Sequence, residues 1–398
     1  MLFRSFSRIM EPENVYAGKE QLIDIAREHG TPITVIDHDV IRDNYNHFKA
    51  AMPRVEPFYA VKANPESEII KTLQLLGAGF DIASWEEFMM VYETLSRTVD
   101  KKQFMETQTI YANPVKRIDS LRTLHAFDLS MTYDNFNEVD KIAKYCQDAN
   151  LILRIDVPNE GSVVELSSKF GAEPKICLDL LKYAKSKNLD LKGLSFHVGS
   201  QCPTPNNYVK AFEIARSIFD QAEGIGIDLE ILDIGGGFPA PYDESVISFD
   251  EFAKTINNQI KTHFDHSRYR LIAEPGRFLV ATSAVSLLEI NGIGMRKGKK
   301  FYYVNDGVYG TFSGVIFDHI NYHFKCFKTG QLSECAIVGP TCDALDKLSM
   351  SEQLPDLCLG DIIYAENTGA YTTASATTFN GFALRSEEHT SELQSPNT

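Results

Sequence analysis

Residues 229–237 read LEILDIGGG. Leu229, Ile231, Leu232 and Ile234 make a short, mostly apolar run, and three glycines follow it directly. Such a run bounded by turn residues predicts a buried strand. Glycine triplets give the backbone freedom to turn sharply and bring N–H groups close to an anion. On one side lies RLIAEPGR (270–277), and on the other LKGLSFHVGS (191–200). The intervening YVKAFEIARSIFDQAEGIG (208–226) has apolar residues at three- and four-residue intervals, the helical period. Continuing toward the N-terminus, strand-like runs recur at Leu151–Val157, Leu129–Asp134, Thr109–Asn113, Gly79–Ser84 and Pro57–Ala63. Amphipathic segments such as SEIIKTLQLLG (67–77) and PKICLDLLKYAKSKN (174–188) separate several of them and close with Gly or Asn, as helix C-termini do. Eight strand–helix units in about 220 residues favour a (β/α)8 barrel. Periodicity alone leaves a doubly wound open sheet as the alternative.

After Arg277 the rhythm changes. VSLLEINGIGMR, KKFYYVNDGV, ECAIVGPTCDAL and DIIYAENTGAY read as strands with few helices between them. PITVIDH (32–38) precedes the barrel rhythm and is expected to pair into the same second domain. The fold class expected is therefore α/β plus β: a barrel over 41–278 and a mainly β domain over 279–384, to which residues 1–40 contribute a strand. Met350–Pro355 reads as a polar loop. RSEEHTSELQSPNT (385–398) has one aliphatic residue, Leu393, and reads as a disordered tail or as sequence foreign to the fold.

Composition narrows the function classes. The chain has 398 residues, 43% hydrophobic, with a net charge of −15, enough for a large core and for two domains. No Lys/Arg cluster marks a nucleic-acid-binding face. No apolar run is long enough to span a bilayer, and the first residues lack a secretory pattern. The seven cysteines are Cys146, Cys177, Cys202, Cys326, Cys335, Cys342 and Cys358. The odd count without CxxC spacing speaks against a metal site or a disulfide framework and for a reducing, cytoplasmic compartment.

Active sites of such barrels lie at the C-terminal ends of the strands. Lys62, in PFYAVKANP, falls at the end of the first barrel strand. A partly buried lysine has a pKa that is readily lowered, which makes its amine nucleophilic toward a carbonyl. A lysine reaching into water is the equal alternative. Gly235, Gly236 and Gly237 follow the seventh strand, where phosphate sites of this fold commonly form. Glu274 and Arg277 follow the eighth. Arg277 suits a phosphate, and Glu274 suits a protonated ring nitrogen. Asp81 in GFDIAS, His197 and Ser200 in SFHVGSQ, and Arg154 in RIDV are further polar groups at strand ends. Read alone, His197 is as well explained as a satisfied core histidine.

Nine motifs in order, PFYAVKANP, GFDIAS, YANPVK, SFHVGSQ, LDIGGGFP, AEPGR, VNDGVYG, CDALD and ENTGAYT, closely resemble the ornithine decarboxylases, members of the alanine-racemase-like group of pyridoxal-phosphate enzymes. The resemblance runs from about Pro32 to Phe382. It implies a barrel plus a β domain, and a head-to-tail homodimer with shared active sites. It implies that pyridoxal 5'-phosphate is held by Lys62 as a Schiff base with Asp81 nearby. His197 would stack on the ring and Glu274 pair with its nitrogen. Ser200, Gly235, Gly236, Gly237, Gly276, Arg277 and Tyr371 would hold the phosphate, with Arg154 part of the same mouth. Cys342 matches the family's catalytic cysteine, contributed by the partner subunit, and a thiol suits proton donation near neutral pH. Asp318 and Asp343 match the acids that receive the substrate's distal ammonium, with Phe317 and Phe379 beside them. Two carboxylates favour a terminal cation and repel a terminal carboxylate. Relatives acting on diaminopimelate carry Glu at the Asp343 position.

The expected reaction is thus decarboxylation of L-ornithine to putrescine, a step of polyamine biosynthesis. A lysine, arginine or diaminopimelate decarboxylase is the alternative within the class, because one methylene is worth only about 1–3 kcal/mol. A non-catalytic decarboxylase-like regulator is the alternative outside it, although all the expected catalytic residues are present. A racemase is disfavoured by Glu274, since related racemases commonly place Arg opposite the ring nitrogen. The chain departs from the family at Phe317, where many members have Tyr, and beyond TTFNGF, where an apolar strand normally follows. The polar residues 385–398 stand there instead, and we expect them to be foreign to the native C-terminus.

Overall fold

The computed structural model describes residues 2–4, 15–158, 169–242 and 246–382. The tail at 385–398 lies outside them. The chain divides into two compact units, one formed by Arg42–Leu279 and the other by Met1–Ile41 with Val280–Thr398.

The second unit is an open sheet. Strands β1 (Leu2–Arg4) and β2 (Ile33–Asp37) pair in parallel, and β2 pairs antiparallel with the first half of a later strand. In the Arg42–Leu279 unit, β3 (Val55–Ala60), β4 (Gly79–Ile82), β5 (Thr109–Tyr111), β6 (Ser130–Tyr133), β7 (Asn150–Arg154), β8 (Asp190–Ser195), β9 (Ile231–Asp233) and β10 (Arg270–Ala273) close in parallel, β10 returning to β3. Closure excludes the open doubly wound sheet. The barrel interior is filled by side chains: Phe58, Ile110, Ile152 and the partly buried Ile231 come from alternate strands, and Ile272 joins them.

The helices form where capping and amphipathicity agree. Phe249–His263 starts at Ser248, whose hydroxyl accepts from the Glu251 N–H at 3.3 Å, and buries Phe252, Ala253, Ile256 and Ile260. Asp250 and Glu251 sit in its first turn and Lys261 and His263 in its last, matching the helix dipole. Trp85–Thr94 is capped by Ser84, which accepts from the Glu87 N–H at 3.1 Å, while the Glu87 carboxylate reaches back past the cap and accepts from the Ala83 N–H at 2.6 Å.

In the open-sheet unit, β11 (Ala284–Arg296) is shared. Its first half pairs with β2 and β16 (Ile362–Glu366), its second with β12 (Lys299–Val304), and the register shifts between Ile290 and Gly292. β13 (Phe324–Cys326) pairs with β16, while β14 (Ser333–Val338) and β15 (Lys347–Leu354) continue from β12. Leu22, Ile25 and Ala26 of the helix Val15–His29 pack on Ile33, Val35, Leu287 and Tyr364. β15 corrects the expectation of a polar loop at Met350–Pro355. Leu348, Glu352 and Leu354 face inward while Met350 stays exposed. Met350 would share their face in a regular strand, and it is exposed where the register against β14 shifts.

One buried network braces the barrel. Lys116, fully buried, donates from Nζ to the Thr132, Asn113 and Pro114 carbonyls at 2.6, 3.1 and 3.2 Å. It also meets Glu138 at 3.1 Å, whose other oxygen meets Lys141 at 2.6 Å. Burial lowers the Lys116 pKa to about 8. Removing one partner of such a buried pair costs about 3–5 kcal/mol, because the other charge stays buried. K116A is therefore expected to lower the unfolding free energy by about that amount in denaturant titration, and K116A/E138Q to recover part of it. A loss within about 0.5 kcal/mol would show the network to be dispensable.

Candidate active site

The strand ends of the barrel bring one group of polar residues together. Lys62 sits on the single helical turn Val61–Ala63 that follows β3. Its Nζ donates to Asp81 Oδ2 at 2.5 Å, and the Asp81 carboxylate is buried at the end of β4. Asp81 Oδ1 is buried without a hydrogen-bond partner among the described residues. Gly276 makes room for the lysine turn, since a Cβ there would lie 2.9 Å from the Ala63 Cβ.

Glu274, just past β10, is almost wholly buried. Burial raises its carboxyl well above the usual range, and Asp233 and then Asp81 raise it further against the pull of Lys62. Burial likewise pushes Asp233 upward, although the Gly235 N–H donates to its Oδ1 at 2.8 Å. Both carboxyls therefore favour the protonated form more than an ordinary carboxyl does. His197 is held the other way. Burial, then the nearby cations Arg154 and Lys62, keep its pKa well below the ordinary imidazole value. The Gly199 N–H donates to His197 Nδ1 at 3.0 Å, which places the proton of the neutral ring on Nε2.

The glycine run packs on the loop after β8. A Cβ at Gly235 would come within 2.1 Å of the Phe196 carbonyl oxygen and one at Gly237 within 2.3 Å of that of Gly199, and both residues have positive φ. A Cβ at Gly236 would stand 3.1 Å from His197 Nε2. The Gln201 side chain both donates to and accepts from Ala240, at 2.7 and 3.0 Å, and so locks the two loops. Buried Arg277 donates to Ser200 Oγ at 3.2 Å and to the Tyr242 hydroxyl at 3.0 Å. Arg154 lies over the Phe170 ring.

The other unit gathers a second group. Cys342 and Asp343 follow β14. The Tyr309 hydroxyl donates to the Asp343 carboxylate, and the Leu345 N–H donates to its other oxygen at 3.0 Å. These bonds hold Asp343 below its ordinary pKa. Phe379 stacks on Tyr309 with ring centroids 4.3 Å apart. Asp346 ties the two loops, accepting from the Val308 N–H at 2.9 Å and from the Thr341 hydroxyl at 2.7 Å. Phe317 ends the short helix Gly314–Phe317 and is exposed, and Asp318 caps it. Tyr371 has positive φ, and its carbonyl accepts from Ser313 at 3.3 Å at the start of that helix.

Sequence reading missed Asp233, Tyr242, Tyr309 and Asp346. Only Asp233 left a direct signal, as an acid within an otherwise apolar strand.

The barrel group has the chemistry to hold an aldehyde cofactor carrying a ring nitrogen and a phosphate. It offers an amine, two buried carboxyls that burial shifts toward protonation, a neutral imidazole, and a glycine loop with a buried guanidinium. The buried unpartnered oxygen of Asp81 fits a site completed by a cationic group. Residues 38–281 match the family model of the pyridoxal-dependent decarboxylases, pyridoxal binding domain, and the chain belongs to that family. It is 37% identical over 375 residues to a lysine/ornithine decarboxylase of Selenomonas ruminantium, covering 94% of this chain and 93% of that one. It is 38% identical to the ornithine decarboxylase of Mus musculus and 40% identical to antizyme inhibitor 2 of Xenopus laevis. Each of these matches covers 86% of this chain and 77% of the relative. The arginine decarboxylase of Paramecium bursaria Chlorella virus superposes with a TM-score of 0.85 at 32% identity, over 92% of this chain and 98% of that one. Within the family the chain falls among the pyridoxal-phosphate-dependent decarboxylases of basic amino acids. Among the described residues no helix is long and apolar enough to cross a membrane, and no cluster of His, Cys, Asp and Glu is arranged to hold a metal.

The acid pair gives a pH test on cofactor-free protein. A carboxyl whose folded pKa is raised stabilises the fold below its unfolded pKa, near 4, and loses that contribution as pH rises through the folded value. The stability of the wild type relative to D233N is therefore expected to fall between pH 5 and pH 8 in urea titrations. A constant difference across that range would mean that the pair is ionised throughout.

Proposed function

We propose that the chain decarboxylates L-ornithine to putrescine and CO2, as a cytoplasmic homodimer in which the Cys342–Asp343 loop of one subunit serves the barrel mouth of the other. The reading rests chiefly on Asp343, an ionised carboxylate fixed by Tyr309 and adjacent in sequence to a thiol. It sets a receptor for a distal ammonium beside a proton donor.

Pyridoxal phosphate, when bound, supplies a protonated ring that takes up the electron pair left as CO2 departs. Lys62 binds the cofactor through Nζ, and Asp81 holds that amine in place. Glu274, raised by burial and by Asp233, keeps a proton at the ring nitrogen. His197 presents a neutral, flat face to the ring. Arg277, Ser200, Gly235, Gly236, Gly237 and Gly276 hold the phosphate, with Tyr371 completing it and Arg154 lining the mouth. Cys342 delivers its proton to Cα once the carboxylate has gone. Asp318 and Asp343 receive the distal ammonium, and Phe317 and Phe379 flank its methylene chain. A lysine-preferring or dual-specificity enzyme keeps every one of these roles and differs only in depth of pocket.

The relative named antizyme inhibitor 2 favours a second reading, a non-catalytic regulator. CO2 release from cofactor-loaded protein offered ornithine, lysine, arginine and diaminopimelate separates these readings. Ornithine is expected to be preferred, with release abolished in K62A and the KM for ornithine raised about tenfold or more in D343N, the cost of truncating a charge-assisted contact. Preference for lysine would overturn the substrate assignment. No release from any of the four, with cofactor bound, would favour the regulator.

A further inference from the structure

Cys342 and Asp343 belong to a closed ring of contacts. Asp343 accepts from Tyr309, Tyr309 stacks on Phe379, and Asn380, the next residue, returns to Cys342. Asn380 Oδ1 accepts twice from the cysteine, from its backbone N–H at 3.0 Å and from its thiol at 3.2 Å. The backbone donor fixes the amide's orientation, because an N–H cannot donate to an NH2 group. Asn380 itself has φ +56°, a left-handed conformation that Asn tolerates better than most residues. Tyr309 also receives the far side of the turn, its carbonyl accepting from the Thr377 N–H at 2.7 Å. The turn is therefore held at both ends, with its amide oxygen aimed at one residue.

From this geometry we infer that Asn380 is a positioning residue for the Cys342 thiol. A cysteine side chain in a loop has three staggered χ1 wells. The second bond to Asn380 selects one of them, so that Sγ and its proton point in a fixed direction relative to Asp343. When the thiol gives up its proton, the S–H···O bond is lost, while the backbone N–H bond keeps Asn380 in place to receive the thiol again after reprotonation from water. Proton donor and ammonium receptor are thus held at a set spacing by one short turn. The inference rests on the proposed role of Cys342 for its effect on turnover, but not for its effect on the thiol.

The test uses N380G, which removes the amide while tolerating the positive φ, and N380D, whose carboxylate oxygen can accept the same two bonds. Alkylation of Cys342 by iodoacetamide, followed by peptide mass, reads the thiol directly. The rate is expected to rise severalfold in N380G and to fall below wild type in N380D, whose negative charge beside the sulfur disfavours the reactive thiolate. In cofactor-loaded enzyme, kcat is expected to fall about ten- to a hundredfold in N380G with KM within twofold. N380D is expected to recover much of kcat, and N380G to add nothing in a C342A background. Wild-type alkylation in N380G would overturn the inference. An altered alkylation rate with unchanged kcat in both N380G and C342A would leave the positioning standing and overturn Cys342 as proton donor.

Discussion

Three buried carboxyls, Asp81, Asp233 and Glu274, converge on the mouth of one barrel with Lys62 and Arg154 as their nearby cations. Burying that much negative charge is costly unless it is paired or neutralised. The site solves the problem in two ways. Asp81 takes the lysine ammonium at 2.5 Å. Burial pushes both Asp233 and Glu274 toward their protonated forms, and Asp233 adds to that effect on Glu274. Closure of the eight strands forces this convergence, because each acid stands at or just past the end of a different strand, β4, β9 and β10. A bound group carrying a cationic ring nitrogen would relieve the crowding at Glu274, and this ties the cofactor chemistry to the electrostatics of the mouth.

The opposite treatment of His197 follows from the same surroundings. The field that favours protonated acids would favour an imidazolium as well, yet Arg154 and Lys62 stand close and the ring is shielded from water. The imidazole stays neutral, and the Gly199 N–H fixes its tautomer. Around it, the glycine run and the loop after β8 pack so closely that no Cβ fits at Gly235 or Gly237. Tight packing keeps Arg277 and Ser200 in register with the glycine backbone.

Much of this was legible in the sequence. Eight apolar runs recurred between helical stretches, so their count pointed to the barrel, and Lys62, Asp81, Glu274 and Arg277 each stood toward the C-terminal end of one of them. Asp233 was in plain view inside LDIGGG but reads as a strand residue until the fold places it against Glu274. Tyr309 and Asn380 stand 34 and 38 residues from their partners Asp343 and Cys342. No periodicity encodes contacts of that range. β15 was obscured for a different reason: its outward positions carry Ser and Gln, and its inward Glu352 breaks the apolar alternation.

The account stands on Lys62 as the residue that carries the cofactor. Borohydride reduction of protein loaded with pyridoxal phosphate, followed by digestion and peptide mass analysis, tests this most directly. The account predicts one pyridoxyl group per chain, on the peptide that contains Lys62. A label on another lysine, such as buried Lys116, or no label on protein that holds the cofactor, would contradict it.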